Sequence, residues 1–188
     1  MLKLKNINKS FGNNEIFKDF SYDFGQKGVV FVKGASGSGK TTLLRIIAGL
    51  EKIDSGEINK NGSLSYLFQE DRLLPWLSAV ENIECVLKKG DERRNNAALL
   101  LKKVGLLDYK DADISILSGG MKRRIALCRA LIVEPDILLL DEPMSALDSE
   151  TKAVLLKEIE QFSREHLVIF VTHQDDDINA IEGKILKI

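Results

Sequence analysis

Residues 28–49 read GVVFVKGASGSGKTTLLRIIAG, and this stretch decides the fold class. It begins with GVVFVKG, a short β-branched run that is typical of a buried strand. From Lys40 onward, Leu43, Leu44 and Ile47 recur at helical spacing. A glycine-rich loop therefore connects a buried strand to a helix.

The loop in this stretch, GASGSGKT at 34–41, satisfies the phosphate-loop pattern and lies between strand and helix, where that pattern has to lie. We expect its backbone N–H groups to wrap a β-phosphate, Lys40 to neutralise β and γ oxygens, and the Thr41 hydroxyl to bind Mg²⁺. A flexible glycine turn is the alternative, but a chance match is expected only about 1% of the time in such a chain. The predicted nucleotide contacts are Gly34, Ala35, Ser36, Gly37, Ser38, Gly39, Lys40, Thr41 and Thr42.

A second pair of glycines begins the segment LSGGMKRRIALCRAL at 117–131. Ser118 suits a helix N-cap, and the two glycines after it allow a ligand to approach the backbone closely. The N–H groups of the first helical turn carry partial positive charge. The segment therefore predicts a second anion site at Ser118, Gly119 and Gly120, ahead of a helix that carries Lys122, Arg123 and Arg124.

Two acidic residues follow the apolar run ILLL at 137–140. Asp141 is expected at the carboxyl end of a buried strand, where ligands bind in open α/β sheets, and to contact Mg²⁺ through water. The Glu142 side chain is expected to point the opposite way, which leaves it free to polarise an attacking water as a general base. The alternative, a pair of solvated carboxylates, is disfavoured by the apolar run before them and by Pro143 after them.

Two further polar residues follow strand-like runs. Gln69 comes after LSYLF, where an amide can touch Mg²⁺ or the attacking water. His173 ends the run LVIFVT, where an imidazole can donate to a γ-phosphate oxygen. An ordinary surface glutamine and a structural histidine are the alternatives, and we assign His166 to the structural class.

Composition limits the classes of function. A chain of 188 residues with 44% hydrophobic content predicts one domain, 1–188, with a substantial core. A net charge of −1 gives no electrostatic reason to expect nucleic acid as a partner. Cys85 and Cys128 match no metal or redox spacing, so they are predicted to be small buried hydrophobic residues in a reducing cytoplasm.

The apolar segments are short. The N-terminal sequence has no apolar signal-peptide region, and runs such as ILLL and LVIFV are too short to span a bilayer. We therefore expect any membrane contact to come from a partner. Strand and helix patterns alternate along the chain, which predicts an α/β fold with a mainly parallel sheet. Strands are predicted near 2–5, 28–34, 57–58, 64–68, 137–140 and 167–171, and helices from 40, over 78–104, from 117 and over 149–162.

Six motifs occur in the order of one family, and on them the sequence resembles the nucleotide-binding subunit of an ABC transporter. GASGSGKTT resembles the Walker A loop, Gln69 the Q-loop and LSGGM the family signature. ILLLDEP resembles the Walker B strand, SALD at 145–148 the D-loop and THQ the H-loop. The motifs cover most of the chain, and the signature is nearly unique to this family.

The resemblance implies a P-loop NTPase core with a mainly parallel sheet, an N-terminal antiparallel β part and a helical subdomain inserted at about 70–133. It also implies ATP and Mg²⁺ as cofactors and Phe11 as the aromatic that stacks on adenine. Its members form head-to-tail dimers, so we expect a second ATPase subunit, either the same chain or a similar one. In such a dimer, LSGG of one subunit covers the γ-phosphate held by the 34–41 loop of the other.

The segment FQEDRLLPWLSAVENI at 68–83 is similar to importer ATPases of the nitrate, sulfonate and taurine kind. Its apolar residues, Leu73, Leu74, Trp76 and Leu77, are expected either to pack inside the helical subdomain or to form a groove for a helix of a polytopic permease. The resemblance thus implies an ATPase that powers a transporter by closing and reopening as a dimer, peripheral at the inner face of the cell membrane.

Two other classes of function remain as alternatives. A soluble ABC ATPase would use the same closure to remodel a macromolecular partner, although the two fused domains or long coiled-coil insertions of such relatives are not seen. A small-molecule P-loop kinase would share the 34–41 loop but has no role for the signature or the D-loop. Only 15 residues follow His173, so we expect the closing helix and strand of the family to be short.

Overall fold

The computed structural model describes residues 1–145 and 147–188, which form two β-sheets flanked by helices. The strands are β1 (Leu2–Phe11), β2 (Asn14–Gly25), β3 (Gly28–Lys33), β4 (Ser55–Lys60), β5 (Leu64–Leu67), β6 (Ile137–Asp141), β7 (Leu167–Val171) and β8 (Lys184–Lys187). The helices are α1 (Lys40–Ala48), α2 (Ala79–Glu84), α3 (Ala97–Lys103), α4 (Gly119–Leu131), α5 (Ser149–Ser163) and α6 (Asp175–Ala180), with 3₁₀ segments at Glu92–Asn96, Leu107–Tyr109 and Ile114–Ile116.

The larger sheet has the strand order β5-β6-β7-β3-β8, and each neighbouring pair is parallel. Parallel strands require crossover connections, which the helices supply. Because β6, β7 and β3 are neighbours, their carboxyl ends lie side by side at one edge of the sheet. The predicted fold class, a P-loop core with a mainly parallel sheet, is confirmed.

The smaller sheet is antiparallel, with the order β2-β1-β4, and it is the antiparallel part that the resemblance implied. β1 and β2 form a hairpin around Gly12 and Asn13, and Gly12 has a φ of 59° that suits a tight turn. The strand β2 was not predicted from the sequence. The period-2 spacing of Phe20, Tyr22 and Phe24 was the signal for it.

Two hydrophobic clusters lie on opposite faces of the larger sheet, because alternate side chains of each strand point to opposite faces. One cluster joins that sheet to α2, α3, α4 and α5, and includes Phe31, Leu140 and Phe170. The other joins it to α1 and the smaller sheet, and includes Leu4, Phe17, Val32, Leu44 and Leu139. Each fully buried side chain of this size contributes about 1.5–3 kcal/mol, so both faces hold the central strands in place.

The predicted continuous helix over 78–104 is wrong. In the structure, α2 ends at Glu84, a 3₁₀ turn covers Glu92–Asn96, and α3 follows. The residues between the helices, KKGDERR at 88–94, offer no apolar face to pack. Gly90 has a φ of 84°, and the Asp91 carboxylate accepts from the backbone N–H of Arg93 at 3.0 Å. The positive φ of Gly90 is incompatible with a continuous helix, and Asp91 caps the 3₁₀ segment that starts at Glu92.

Cys128 is buried as predicted, and burial raises the pKa of its thiol to about 12. Cys85 is exposed, which contradicts the prediction that both cysteines are buried. It follows α2 directly, as the C-cap of that helix.

The closing elements are short, as expected. α6 and β8 follow the central strands, and β8 pairs with β3 in parallel. Among residues 1–145 and 147–188, no helix combines the length and the apolar character needed to cross a bilayer.

Candidate nucleotide-binding and catalytic site

A cavity of about 470 Å³ lies at the carboxyl edge of β3, β6 and β7. It brings together the predicted catalytic residues and the predicted Mg²⁺ ligands, which come from four separate segments of the chain. Its lining residues are Ser36, Gly37, Gly39, Lys40, Thr41, Thr42, Gln69, Asp141, Glu142, Ser145, Val171 and His173.

The phosphate loop is held in place by contacts that exclude larger residues. Gly39 has a φ of 101°, and a Cβ added there would lie 2.5 Å from Cγ2 of Ile16. A Cβ at Gly34 would overlap the carbonyl oxygen of Ile188 and the hydroxyl of Ser38. Both glycines are therefore required by the local packing as well as by the motif.

Lys40 is only 7% exposed and borders the cavity. Its ammonium group donates to the carbonyl oxygens of Gly34 at 2.9 Å and Ala35 at 2.7 Å. These two bonds hold the cation against the loop backbone, beside the position where the motif places phosphate.

The N-terminus of α1 also faces this cavity. Its N-cap is Gly39, which provides no side-chain cap, and its first turn has no acidic residue. The first-turn N–H groups and their partial positive charge are therefore available to an anion. The hydroxyl of Ser38 is buried and makes no hydrogen bond. This donor set fits the phosphates of a nucleotide.

Asp141 ends β6 and is 2% exposed. The hydroxyl of Tyr66, on the neighbouring strand β5, donates to Oδ2 of Asp141 at 3.2 Å. Burial, followed by the charge of Asp141, raises the pKa of Tyr66 well above its ordinary value, so the phenol stays a donor. The Tyr66 ring also stacks on Phe68, with ring centroids 4.0 Å apart. Sequence reasoning did not find this role of Tyr66.

Glu142 lies just beyond β6 in a left-handed conformation, with a φ of 51°. Side-chain alternation predicted that Glu142 would point away from Asp141, but both residues line the same cavity. The reason is that the positive φ turns the chain out of the strand at Glu142. Such a conformation is costly for a residue other than glycine and is typical of functional sites.

The carboxylate of Glu142 is close to His173. The Nε2 atom of His173 lies 3.1 Å from Oε1 of Glu142, although this contact does not meet the geometry of a hydrogen bond. Burial raises the pKa of Glu142 above its ordinary value, and His173 partly opposes this effect. A partly buried carboxylate of raised pKa beside an imidazole is suited to accept a proton.

Gln69 borders the cavity, and its backbone is bound by an unexpected residue, Arg123. Arg123 and Arg124 are on the helix that follows the predicted anion site, but the guanidinium group of Arg123 faces inward, away from that site. Arg123 is 3% exposed and donates to backbone carbonyls near Gln69 and Glu142. Arg124 donates to the carbonyls of Val104 and Gly120. Spacing alone does not show that the charge of Arg123 faces inward, because Lys122 and Arg124 beside it are only partly buried.

Several predicted residues lie outside the cavity. Ser118 caps α4, its hydroxyl accepts from the N–H of Met121 at 3.3 Å, and neither it nor the glycine pair lines the cavity. Phe11 lies at the end of β1 and is 47% exposed, with the ammonium of Lys9 4.5 Å from its ring centroid. The D-loop residue Ala146 lies outside the described residues.

The chain matches the family model described as "ABC transporter" over residues 17–145, which is more than half of its length. The chain belongs to the ABC transporter family. It is 39% identical, over 98% of its length and 68% of the relative's, to aliphatic sulfonates import ATP-binding protein SsuB 2 of Pseudomonas syringae pv. syringae. It is also 39% identical to SsuB 1 of Paraburkholderia xenovorans, of which it spans 57%.

Solved structures of ABC cassettes agree with this family. A dimeric ATP-binding cassette in a post-hydrolysis state, bound to ADP and Pi, matches with a TM-score of 0.88 at 30% identity, covering 100% of this chain and 94% of that one. The prediction that this chain is an ATP-binding subunit of an ABC transporter is confirmed, and with it the ATPase class. The soluble alternative and the kinase alternative are not supported.

The segment LLPWL at 73–77, which follows Gln69, forms a loop. Leu73 packs against the core, as one of the two alternatives expected, whereas Trp76 is 75% exposed. The groove for a permease helix stays a prediction. The fully buried Asn82 fixes the loop, because its amide donates to the carbonyls of Leu74 and Leu77 and its oxygen accepts from the N–H of Leu74. Sequence reasoning did not identify Asn82.

A larger cavity of about 690 Å³ lies between α3, the end of α4 and α5. It is lined by residues such as Leu99, Phe162 and His166, and none of the ABC transporter motifs borders it. His166 stacks on Phe162 with centroids 4.2 Å apart, in line with the structural role expected for it.

Proposed function

We propose that the chain binds Mg-ATP in the 470 Å³ cavity and hydrolyses it with Glu142 as the general base. The observation that carries this proposal is the convergence of Lys40, Asp141, Glu142 and His173 at one edge of the parallel sheet. A cation, two carboxylates and an imidazole beside an uncapped helix N-terminus are the groups that phosphoryl transfer to water requires.

In this proposal, residues of the phosphate loop bind the nucleotide, and residues at the strand ends take part in metal binding and hydrolysis. The first-turn N–H groups of α1 and Lys40 hold the phosphates, and Thr41, Asp141 and Gln69 hold Mg²⁺ directly or through water. The metal, when bound, neutralises charge on the phosphate oxygens. The described residues contain no group of three or more acidic, histidine or cysteine side chains that could hold a metal ion by themselves. This suits Mg²⁺, which is usually bound by one or two protein ligands together with substrate phosphates.

Glu142 accepts the proton of the attacking water, and His173 donates to the γ-phosphate. Burial raises the pKa of Glu142, which makes its carboxylate a stronger base than an ordinary one. Phe11 offers an exposed aromatic face to adenine, and the ammonium group of Lys9 contacts the ring of Phe11.

A second ATPase subunit completes the site. Ser118 and Gly119 are exposed, and neither lines the cavity of its own chain. Two chains related by a two-fold axis would place each LSGG segment on the other chain's nucleotide, giving two equivalent sites. The dimeric cassette that matches this chain supports such an arrangement.

We further propose that hydrolysis powers import through a polytopic permease that receives the Trp76 loop. The exposed tryptophan and the names of the sulfonate-import relatives support this partner and this direction. The chain would then be peripheral at the cytoplasmic face of the cell membrane. No feature of the described residues favours nucleic acid as a partner.

Two experiments test these proposals. The purified chain should hydrolyse ATP with Mg²⁺ and lose this activity with EDTA, whereas Lys40→Met should lose it even with Mg²⁺. The exposed Lys5 provides a matched control, because Lys5→Met leaves the cavity untouched. Copurification from detergent-solubilised membranes should yield a multi-span protein. Absence of ATPase activity would contradict the catalytic proposal, and recovery of the chain without any membrane protein would contradict the transport proposal.

A further inference from the structure

The most extensive side-chain network near the cavity belongs to Arg123, on the inner face of α4. It is 3% exposed, and a buried charge is costly unless it is fully hydrogen-bonded. Its guanidinium group meets that requirement. Nη1 donates to the carbonyls of Phe68 at 2.6 Å and Gln69 at 3.1 Å and to Oδ1 of Asp71 at 3.1 Å. Nη2 donates to the carbonyls of Asp141 at 2.6 Å and Glu142 at 2.8 Å. Nε donates to the carbonyl of Pro143 at 3.2 Å.

These acceptors lie where two neighbouring strands end. β5 and β6 are paired in parallel up to Leu67 and Leu140, and beyond that point the sheet ladder stops. Backbone carbonyls beyond the last paired residues still need hydrogen-bond donors. Arg123 supplies them for both strands at once, so one planar group connects the Q-loop to the turn that carries the carboxylates.

Other arginines of α4 do not make this connection in the described part of the chain. Arg129 reaches the carbonyls of Asp71 and Arg72 only, and Arg124 stays with Val104 and Gly120. Of the three arginines of α4, Arg123 is the one whose hydrogen bonds reach both Gln69 and Glu142. It thereby binds the carbonyl of a residue held at a φ of 51°, a conformation that needs support from its surroundings.

We propose that Arg123 is a positioning residue of ATP hydrolysis, which sets the distance between Gln69 and Glu142 and fixes both relative to α4. The planar guanidinium presents its donors in a rigid fork, so it can hold two backbone segments at one spacing. This inference rests on the proposed function, because it takes Glu142 as the general base and Gln69 as a group beside the bound Mg²⁺. It does not involve nucleotide binding, since no bond of Arg123 reaches the 34–41 loop.

The test compares Arg123→Met with Arg94→Met. Arg94 is a suitable control because it also donates to three partners, the carbonyls of Leu87 and Lys88 and the carboxylate of Glu84, away from the cavity. Steady-state kinetics, nucleotide titration, thermal melting and hydrogen exchange of residues 68–72 and 142–145 are measured for each. Arg123→Met should lower kcat by about 10²-fold, as expected for a displaced catalytic group.

The other readouts separate positioning from stability. In Arg123→Met, the Kd for ATP measured in EDTA should stay near the wild-type value, because the 34–41 loop is untouched, and hydrogen exchange should rise in both backbone segments. Arg94→Met should lower the melting temperature but leave kcat and both segments unchanged. If Arg123→Met does not fold, Arg123→Lys is used, because it keeps the charge but replaces the rigid fork with a point charge that cannot bridge both strands. It should show the same loss of kcat.

Two results would overturn the inference. One is a folded Arg123 variant that keeps wild-type kcat. The other is an equal loss of kcat in Arg94→Met, which would make the effect one of general stability. A wild-type chain without ATPase activity would instead contradict the proposed function, so the two failures are distinguishable.

Discussion

The Nε2 atom of His173 lies 3.1 Å from Oε1 of Glu142, and this contact joins the ends of β7 and β6 beside the phosphate loop. The two strands are neighbours in the parallel sheet, so residues that follow them meet although they are far apart in sequence. The contact explains how Glu142 and His173, which are distant in the sequence, can act in one site.

Replacing Glu142 tests its role as the base. Glu142→Gln should bind ATP and Mg²⁺ as the wild type does but lose turnover by ~10²–10⁴-fold, because general-base assistance is removed. Steady-state hydrolysis and nucleotide titration measure the two effects. Near wild-type hydrolysis by the folded variant would refute the assignment.

The hydroxyl of Tyr66 should orient Asp141 for the metal. Tyr66→Phe removes the 3.2 Å hydrogen bond to Oδ2 but keeps the ring that stacks on Phe68. Metal affinity in the presence of ADP should fall by roughly 10-fold or more, as is usual when a ligand loses its supporting hydrogen bond. Mn²⁺ titration by electron paramagnetic resonance measures this. Tyr22→Phe, in the smaller sheet, is the control, and equal Mn²⁺ affinity in both variants would disprove the role.

The exposed Trp76 should contact the membrane partner. Trp76→Glu should keep its cooperative melting and basal ATPase activity but lose copurification with the permease, because a charge replaces an apolar contact. Leu99→Glu introduces the same charge at another exposed apolar residue and should keep the permease. Unfolding of Trp76→Glu would show that Trp76 is needed for the core, and retained copurification would exclude it from the interface.

Asp136, which lies outside the nucleotide site, should make the stability of the folded chain depend on pH. Its carboxylate accepts from the N–H and hydroxyl of Ser63, and these bonds hold the pKa of Asp136 below its ordinary value. The stabilisation is therefore fully present above the unfolded-state pKa of about 3.9 and is lost as pH falls through the lower folded-state value. Asp136→Asn should melt below the wild type at pH 7, with the gap narrowing in acid. A constant gap across this range would contradict the explanation.

The central strands and the phosphate loop could be predicted because local sequence determines them. The run GVVFVKG, the glycines and the helix after Lys40 each have a strong local pattern, and all form as expected. Motif order then identified the fold class. The 70–133 boundary of the helical subdomain stays a prediction.

Other features depend on contacts between distant segments, which spacing does not reveal. Arg123 looks like an exposed basic residue in sequence, and only the ends of β5 and β6 supply its buried acceptors. The orientation of Glu142 depends on a left-handed φ that alternation along a strand cannot predict. Cys85 is exposed although its apolar neighbours Ile83 and Leu87 are buried, a difference that the apolar pattern does not reveal.

The central claim is that the 34–41 loop holds the nucleotide of its own chain, while LSGG completes the site of a partner. Lys40→Ala should weaken nucleotide binding by the monomer by roughly 10- to 100-fold, since hydrogen bonds to charged groups contribute about 1.5–3 kcal/mol. Gly119→Asp fits without a clash, because a Cβ at Gly119 meets no atom within 4 Å. It should leave monomer binding unchanged but prevent ATP-driven dimerisation, because its carboxylate would face the partner's γ-phosphate.

The most direct measurement is sedimentation with ATP in a Glu142→Gln background, where hydrolysis cannot dissolve the dimer, combined with nucleotide titration of the monomer. Gly119→Asn is the control for size without charge. The account predicts a dimer for Glu142→Gln alone, a monomer with full nucleotide affinity when Gly119→Asp is added, and a weaker effect of Gly119→Asn. If Gly119→Asp instead lowers monomer affinity as strongly as Lys40→Ala, both glycine segments bind one nucleotide within one chain, and the shared-site account is contradicted.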